Sequence, residues 1–326
     1  MTTATPTETQ SRAQYTAETT AKGAFNRQGT AFQDRITADG RGGYKAEPGR
    51  YHLYVSLACP WAHRALIVRK VKGLEQVITM SVVDPIRDER GWAFRDSVDG
   101  TYGPDPVNDF TFLSEAYLAT DPDYEGRHTV PCIWDRQTGQ IVTNDFHTIP
   151  HQLETEFDAF AKEDIDLYPG ALRGEIDAIN AVVYEYVNNG VYTCGFATTQ
   201  EAYEEPFDAL FRALDELEAR LATQRFLVGD RLTDADIRLF PTLVRFDAVY
   251  VGHFKCNFRR LVDYPNLWAY ARDLFARPGF GETTNFHHIK RHYYQTHAQL
   301  NPSRIVPKGP AVDWAAPHDR HRLGGA

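Results

Sequence analysis

Cysteine is scarce: four in 326 residues, Cys59, Cys132, Cys194 and Cys256. They lie too far apart for a disulfide framework or a paired CxxC zinc knuckle. Reduced thiols of a cytoplasmic protein are therefore expected. Long apolar runs are missing too, and none reaches the roughly 20 residues of a bilayer-crossing helix. Positive charge is in deficit. The 35 Lys and Arg stand against 44 Asp and Glu, a net of -9, which disfavours nucleic acid as a partner, because its binders carry a basic footprint. The first 28 residues hold no apolar segment of secretory type and read as a loose arm. No internal repeat appears. What is left is an ordinary globular composition, 42% hydrophobic and 24% charged, with a length that suggests about two domains.

One of the four thiols stands at a telling place. Residues 50–56 read as a strand, and Pro60 opens a helix that runs to about Lys72 and stops at Gly73. Cys59 sits at the turn between them. Helix N-termini carry unpaired N–H groups and partial positive charge, which biases a thiol there towards the nucleophilic thiolate. Proline suits the first helical position, where no N–H is needed. His63 and Arg64, in the first turn, either add to that bias or face solvent. Cys132, Cys194 and Cys256 read as small buried hydrophobes.

The first half alternates strand and helix signals. After the Cys59 helix come a strand at 77–83, a long polar loop at 84–109, a short helix at 112–119, a hairpin of strands 129–134 and 140–143, and a helix at about 145–156. A loop as long as 84–109 usually serves function. The second half is helical, with apolar spacing over 175–187, 199–222, 234–249 and 266–275. From about Pro302 the chain is rich in Pro and Gly and is expected to wrap the surface.

Thr129-Val130-Pro131 is the second strong signal. Proline fits an interior strand poorly. A cis peptide before Pro131 would turn the backbone of Val130 outward, where it could pair with a peptide-like ligand; an edge-strand proline is the alternative, and the Cys59 turn favours the ligand-pairing reading. Thr233-Asp234-Ala235-Asp236 spells a capping box, with Leu232 and Ile237 as its staple. It is a folding device.

Together, the strand–Cys-Pro–helix, the Val-Pro strand and the Thr-x-x-Asp box resemble the glutathione transferase superfamily. That implies an α/β thioredoxin-like N-terminal domain plus an all-α C-terminal domain. The expected division is an arm at 1–45, a thiol-binding domain with the inserted loop at 46–160, helices at 170–300 and a tail at 301–326. More narrowly, several words resemble the glutathionyl-hydroquinone reductases, the Xi class. They include Cys59-Pro60-Trp61-Ala62-His63-Arg64, Gly91-Trp92-Ala93-Phe94, Asn188-Asn189-Gly190-Val191-Tyr192, Arg245-Phe246-Asp247 and His288-Ile289-Lys290-Arg291-His292-Tyr293-Tyr294. The match runs from about Phe32 to Pro310.

The resemblance implies a reductase that removes a thiol adduct from a quinol ring through a mixed disulfide on Cys59, with a second thiol restoring the cysteine. Tyr192 and Tyr293 match the family's tyrosines over the quinol, where a phenol can donate a proton; Tyr294 is the alternative to Tyr293. For the thiol co-substrate, glutathione, the pattern points to Trp92, Arg127, Val130 and Asp145. It implies a homodimer, and no resident metal. One word departs. The family's Asn-Glu-Ser-Ser stands here as Asn144-Asp145-Phe146-His147, and Phe146 cannot supply a serine's hydrogen bond. Either backbone N–H groups hold that carboxylate, or the thiol carries a sugar, as mycothiol does, with Phe146 under the sugar and Asp145 and His147 on its hydroxyls.

Plainer readings remain for several residues. Trp92 could merely pin its loop, and Arg127 could be a surface charge. His288 and His292 have metal-ligand spacing, with His297 a conceivable third, but a basic helix packed on the tail explains them more simply. Two other functions are also open: a general deglutathionylase or dehydroascorbate reductase, which needs an accessible Cys59, and a non-enzymatic binding protein, which a raised Cys59 pKa would favour.

Overall fold

The computed structural model describes residues 18–324. A four-stranded sheet of order β4-β3-β5-β6 forms the first half. Its centre is β3 (Tyr51–Val55), buried along its whole length because both faces are covered. β3 pairs in parallel with β4 (Thr79–Val82) across the helix α1 (Pro60–Val71), and antiparallel with β5 (Cys132–Asp135), which forms a hairpin with β6 (Gln140–Thr143). Helix α2 (Leu113–Thr120) precedes the hairpin and α3 (Thr148–Thr155) follows it. This is the expected thioredoxin-like order, and residues 84–109 contain no helix or strand. The Val130–Pro131 peptide is cis.

The helical half consists of α4 (Arg173–Val182), α5 (Gly190–Gly195), α6 (Gln200–Leu221), α7 (Asp234–Arg245), the single turn α8 (Val251–His253), α9 (Pro265–Phe275) and α10 (Phe286–Thr296). Two of these helices end within a residue of where apolar spacing puts them, at 187 and 249, but change their winding first. Wider π turns at Val183–Asn188 and Phe246–Tyr250 carry the chain on from α4 and α7. Such turns cluster at functional sites, and both of these back the wall of the cleft described below: Tyr184 packs on Trp61 and Phe146, and Tyr250 bonds Tyr293. The capping box forms: Asp236 accepts the Thr233 N–H at 2.9 Å and also the Leu227 N–H and the Tyr270 hydroxyl. The tail does wrap. Trp314 packs on Trp268 and Phe275, and the buried Arg320 donates to the Leu221 carbonyl at the end of α6. Among the described residues no helix is long and apolar enough to cross a membrane.

The arm needs correction. Residues 1–17 lie outside the described residues, but from Glu18 on the chain is docked rather than loose. Glu18 is fully buried and paired with Arg127. Phe25 packs on Phe196, and two short strands, β1 (Arg35–Thr37) and β2 (Gly43–Lys45), pair in parallel. Burial of Phe25 and the Glu18 ion pair offset the ordering cost that composition alone suggested would go uncompensated.

The two halves meet at the Cys59 turn. Arg245, at the end of α7, is wholly buried. It donates to the carbonyls of Ala58 (3.0 Å), Leu57 (3.2 Å) and Pro241 (2.9 Å), and to His63 Nδ1 (3.0 Å). An arginine only donates, so His63 accepts on Nδ1 and donates from Nε2 to Thr283, 2.9 Å away. Arg64 bonds Asn188 Oδ1 at 2.6 Å, and Asn188 bonds Thr242. Neither His63 nor Arg64 faces solvent: both are buried, as pieces of the domain junction. Replacing Arg245 by Met would orphan the buried carbonyls of the turn, and a loss of about 3 kcal/mol is expected in urea unfolding. A loss below about 1 kcal/mol would show that the turn holds itself.

Candidate active site

Cys59 occupies the N-cap of α1 with extended backbone and Pro60 in the first turn. Its Sγ–H donates to the Val130 carbonyl at 3.4 Å. The cis-proline loop thus places the Val130 backbone directly against the sulfur. Cys59 is 9% exposed and opens into a concave cleft lined by residues of both domains, the usual setting of a small-molecule site. Burial pushes the Cys59 pKa up; the N–H groups of Ala62 and Trp61 and the charges of Arg245 and Arg27 pull it down without overcoming burial. The thiolate bias expected from the helix end alone is therefore reversed. A helix terminus favours the anion, but closure by the helical domain removes the water that would solvate it.

Tyr192 and Tyr293 line the same cleft as Cys59 and begin a chain of phenols that runs back to Tyr250 behind the wall. The Tyr192 and Tyr293 hydroxyls are 2.5 Å apart, and Tyr250 joins Tyr293 at 3.1 Å. All three have pKa values raised by burial, so they are neutral and able to donate. Tyr192 comes from α5, Tyr293 from α10, and Tyr250 from the π turn after α7. Sequence reasoning missed Tyr250; only the wider turn carries it in.

Of the other sequence candidates, Trp92, Arg127, Val130 and Phe146 line the cleft with Cys59, Tyr192 and Tyr293. Trp92 is both wall and anchor, stacked on His292 at 5.0 Å. Arg127 is held by Glu18 rather than left on the surface. Phe146 lies on Trp61, ring centres 4.6 Å apart. Asp145 is the one not brought together with the rest: the wall is made by its neighbours Asn144 and Phe146, and its carboxylate accepts the His147 N–H at 3.1 Å. His147 does not line the cleft either; its ring packs on Phe146 and Tyr184. The α10 histidines serve the inserted loop rather than the tail. His292 bonds the Pro85 carbonyl at 2.8 Å, and His288 bonds Thr101 at 2.7 Å. Among the described residues, no three His, Cys, Asp or Glu side chains are grouped to hold a metal.

Among the described residues, the lining carries Arg27, Arg87 and Arg127 and no acidic residue, in a chain whose net charge is -9. Such a cleft focuses positive potential and suits an anionic ligand. Neither Arg27 nor Arg87 was picked out from sequence.

A thioredoxin-like sheet presenting one cysteine at a helix mouth, a cis-proline loop beside it and an all-helical second domain over it define a glutathione transferase. The glutathione S-transferase N-terminal domain family matches residues 58–156 and the C-terminal domain family residues 200–273. The chain is 50% identical over 304 residues to the glutathionyl-hydroquinone reductase YqjG of Escherichia coli, covering 91% of this chain and 92% of that protein. The glutathione-bound structure of YqjG superposes with a TM-score of 0.86, covering 89% of this chain and 96% of that one at 50% identity. A Xi class transferase from Natrialba magadii gives 0.90, at 48% identity over 93% of this chain and 94% of its own. The chain belongs to the Xi class of the glutathione S-transferase superfamily.

Proposed function

We propose that the protein is a glutathionyl-hydroquinone reductase, releasing a hydroquinone from its thiol adduct through a mixed disulfide on Cys59. The observation that carries this reading is one sulfur set against the Val130 backbone in a cleft shared with Tyr192 and Tyr293, whose hydroxyls are linked to each other and on to Tyr250.

The chemistry balances without an external acid. Attack of Cys59 sulfur on the adduct's sulfur makes a disulfide and breaks the sulfur–carbon bond, whose electron pair stays with the ring. The ring carbon takes one proton and Cys59 loses one. The Tyr192–Tyr293–Tyr250 chain is the route for that exchange. A second thiol then attacks the mixed disulfide, leaving as the oxidised pair and returning Cys59 to S–H. A raised thiol pKa fits this scheme, because the proton held on sulfur is the one the ring requires. The same raised pKa would suit a protein that only binds; the linked phenols decide for turnover, since binding alone has no use for proton donors in the sulfur's cleft. A cysteine only 9% exposed also argues for small substrates over protein disulfides.

This scheme has a pH consequence. Alkylation of Cys59 by iodoacetamide needs free thiolate, so its rate should climb about tenfold per pH unit through neutrality, below the raised pKa. Hydroquinone release in a single turnover carries its proton along and should stay flat over the same range. Parallel rise of the two rates would show that release draws its proton from solvent.

For the thiol, the cleft favours glutathione over a sugar thiol. Its cationic lining has no counterpart in a neutral sugar, and Asp145 and His147 stand off the wall. Phe146 then contributes its ring beside Trp61 and its own backbone N–H to the γ-glutamyl carboxylate, the N–H groups of His147, Thr148 and Ile149 being already bonded to Asp145. The test is the mass of the adduct on Cys59 after isolation from cells. A glutathione-sized increment on Cys59 is expected; a mycothiol-sized one would reverse the thiol assignment, and an adduct on another cysteine would remove the nucleophile.

A further inference from the structure

One cation in the cleft, Arg27, forms no ion pair with an acid among the described residues, Glu18 acting on it only at longer range. Arg27 reaches in from the docked arm. Its Nε donates to Asn189 Oδ1 at 2.9 Å. Its guanidinium carbon lies 4.9 Å from the Trp61 ring centre and 4.8 Å from that of Tyr192. With the Phe25 ring at 5.2 Å, three aromatic rings and one hydrogen bond fix the position of the group. The buried Nη2 meets no acceptor among the described residues. The neighbouring cations differ. Arg127 has Glu18, and Arg245 has three carbonyls and His63. A buried guanidinium with donors to spare and no ion pair is costly to keep unless something anionic meets it. It stands on the ring of Tyr192, a phenol that lines the cleft with Cys59.

We propose that Arg27 receives the quinol oxygen on which negative charge gathers as the carbon–sulfur bond breaks. The proposal rests on the reductase reading. Proton uptake at the ring carbon, matched by loss from the neighbouring phenol, gives a ketone tautomer. When Cys59 takes the sulfur, the bond's electron pair re-forms the ring double bond and leaves that oxygen as a phenolate, which regains the proton Cys59 gave up. A guanidinium already fixed beside the forming oxyanion stabilises it without reorganising. Tyr192 and Tyr293 then handle protons while Arg27 handles charge, which explains why the cleft has both.

The experiment measures the two half-reactions separately, in single turnovers, for the wild type, Arg27→Gln and Arg27→Lys. Hydroquinone release from the adduct should slow about 10²-fold in Arg27→Gln, with part of the loss recovered in Arg27→Lys. Reaction of free thiol with the Cys59 mixed disulfide should change less than about threefold. A bound nitrophenol gives a direct signature: the wild type should hold it as the coloured phenolate at a pH where Arg27→Gln holds the colourless phenol. Loss in both half-reactions with a raised KM for thiol would place Arg27 on the thiol's carboxylate and overturn the proposal. Unchanged release and unchanged nitrophenol colour would overturn it also, whatever happens to the melting temperature. Failure of the wild type to release any hydroquinone would strike the reductase reading instead, and the proposal would fall with it.

Discussion

Replacing Cys59 by serine is expected to lower hydroquinone release by at least about 10³-fold. The step needs a sulfur that can bond another sulfur, and a hydroxyl cannot form the disulfide. The fold should survive, because the side chain gives up only a weak bond to the Val130 carbonyl, 3.4 Å long, and the turn is held by Arg245. The check is turnover of a glutathionyl-hydroquinone beside a melting curve. A serine variant that melts normally and still turns over would refute covalent catalysis at this position.

The second large effect is expected from the phenols. Tyr293 is the middle of the three, bonded to Tyr192 at 2.5 Å and Tyr250 at 3.1 Å. Tyr293→Phe removes the link while keeping the ring. Loss of a positioned proton donor costs 10²–10⁴-fold in general, and about 10²-fold is expected in hydroquinone release. Tyr250→Phe, at the far end of the chain, should cost less than Tyr293→Phe or Tyr192→Phe. The thiol-exchange half-reaction moves no proton to carbon and should be unaffected by all three. Equal losses in both halves would mean that the tyrosines shape the pocket rather than move protons.

What could be read from sequence was what acts over short range. The Cys59-Pro60 turn, the cis bond before Pro131 and the Thr233–Asp236 cap each involve neighbours within a few residues, and each is found as expected. Tyr192 and Tyr293 were legible only as family words, since the chain has 17 tyrosines. The misses are long-range. Arg245 reaches Ala58 across 187 positions, and no local pattern marks it. Tyr250 depends on a π turn that helical spacing does not reveal. Cys59 was expected to be acidified because a helix end is a local cue, whereas its desolvation is supplied by a domain that begins more than a hundred residues later. The arm was judged loose from its polar composition, yet Phe25 and the Glu18–Arg127 pair tie it down, and it brings Arg27 with it.

The Arg245 clamp sets a limit on how this enzyme can move. The two peptide carbonyls immediately before the nucleophile belong, in hydrogen-bonding terms, to the opposite half of the molecule. Swinging the halves apart would strip both of their donor, so traffic into the cleft must pass by yielding of the arm or the 84–109 loop. It follows that a hybrid joining this sheet to a helical half without that arginine would inherit the thiol but lose its aim.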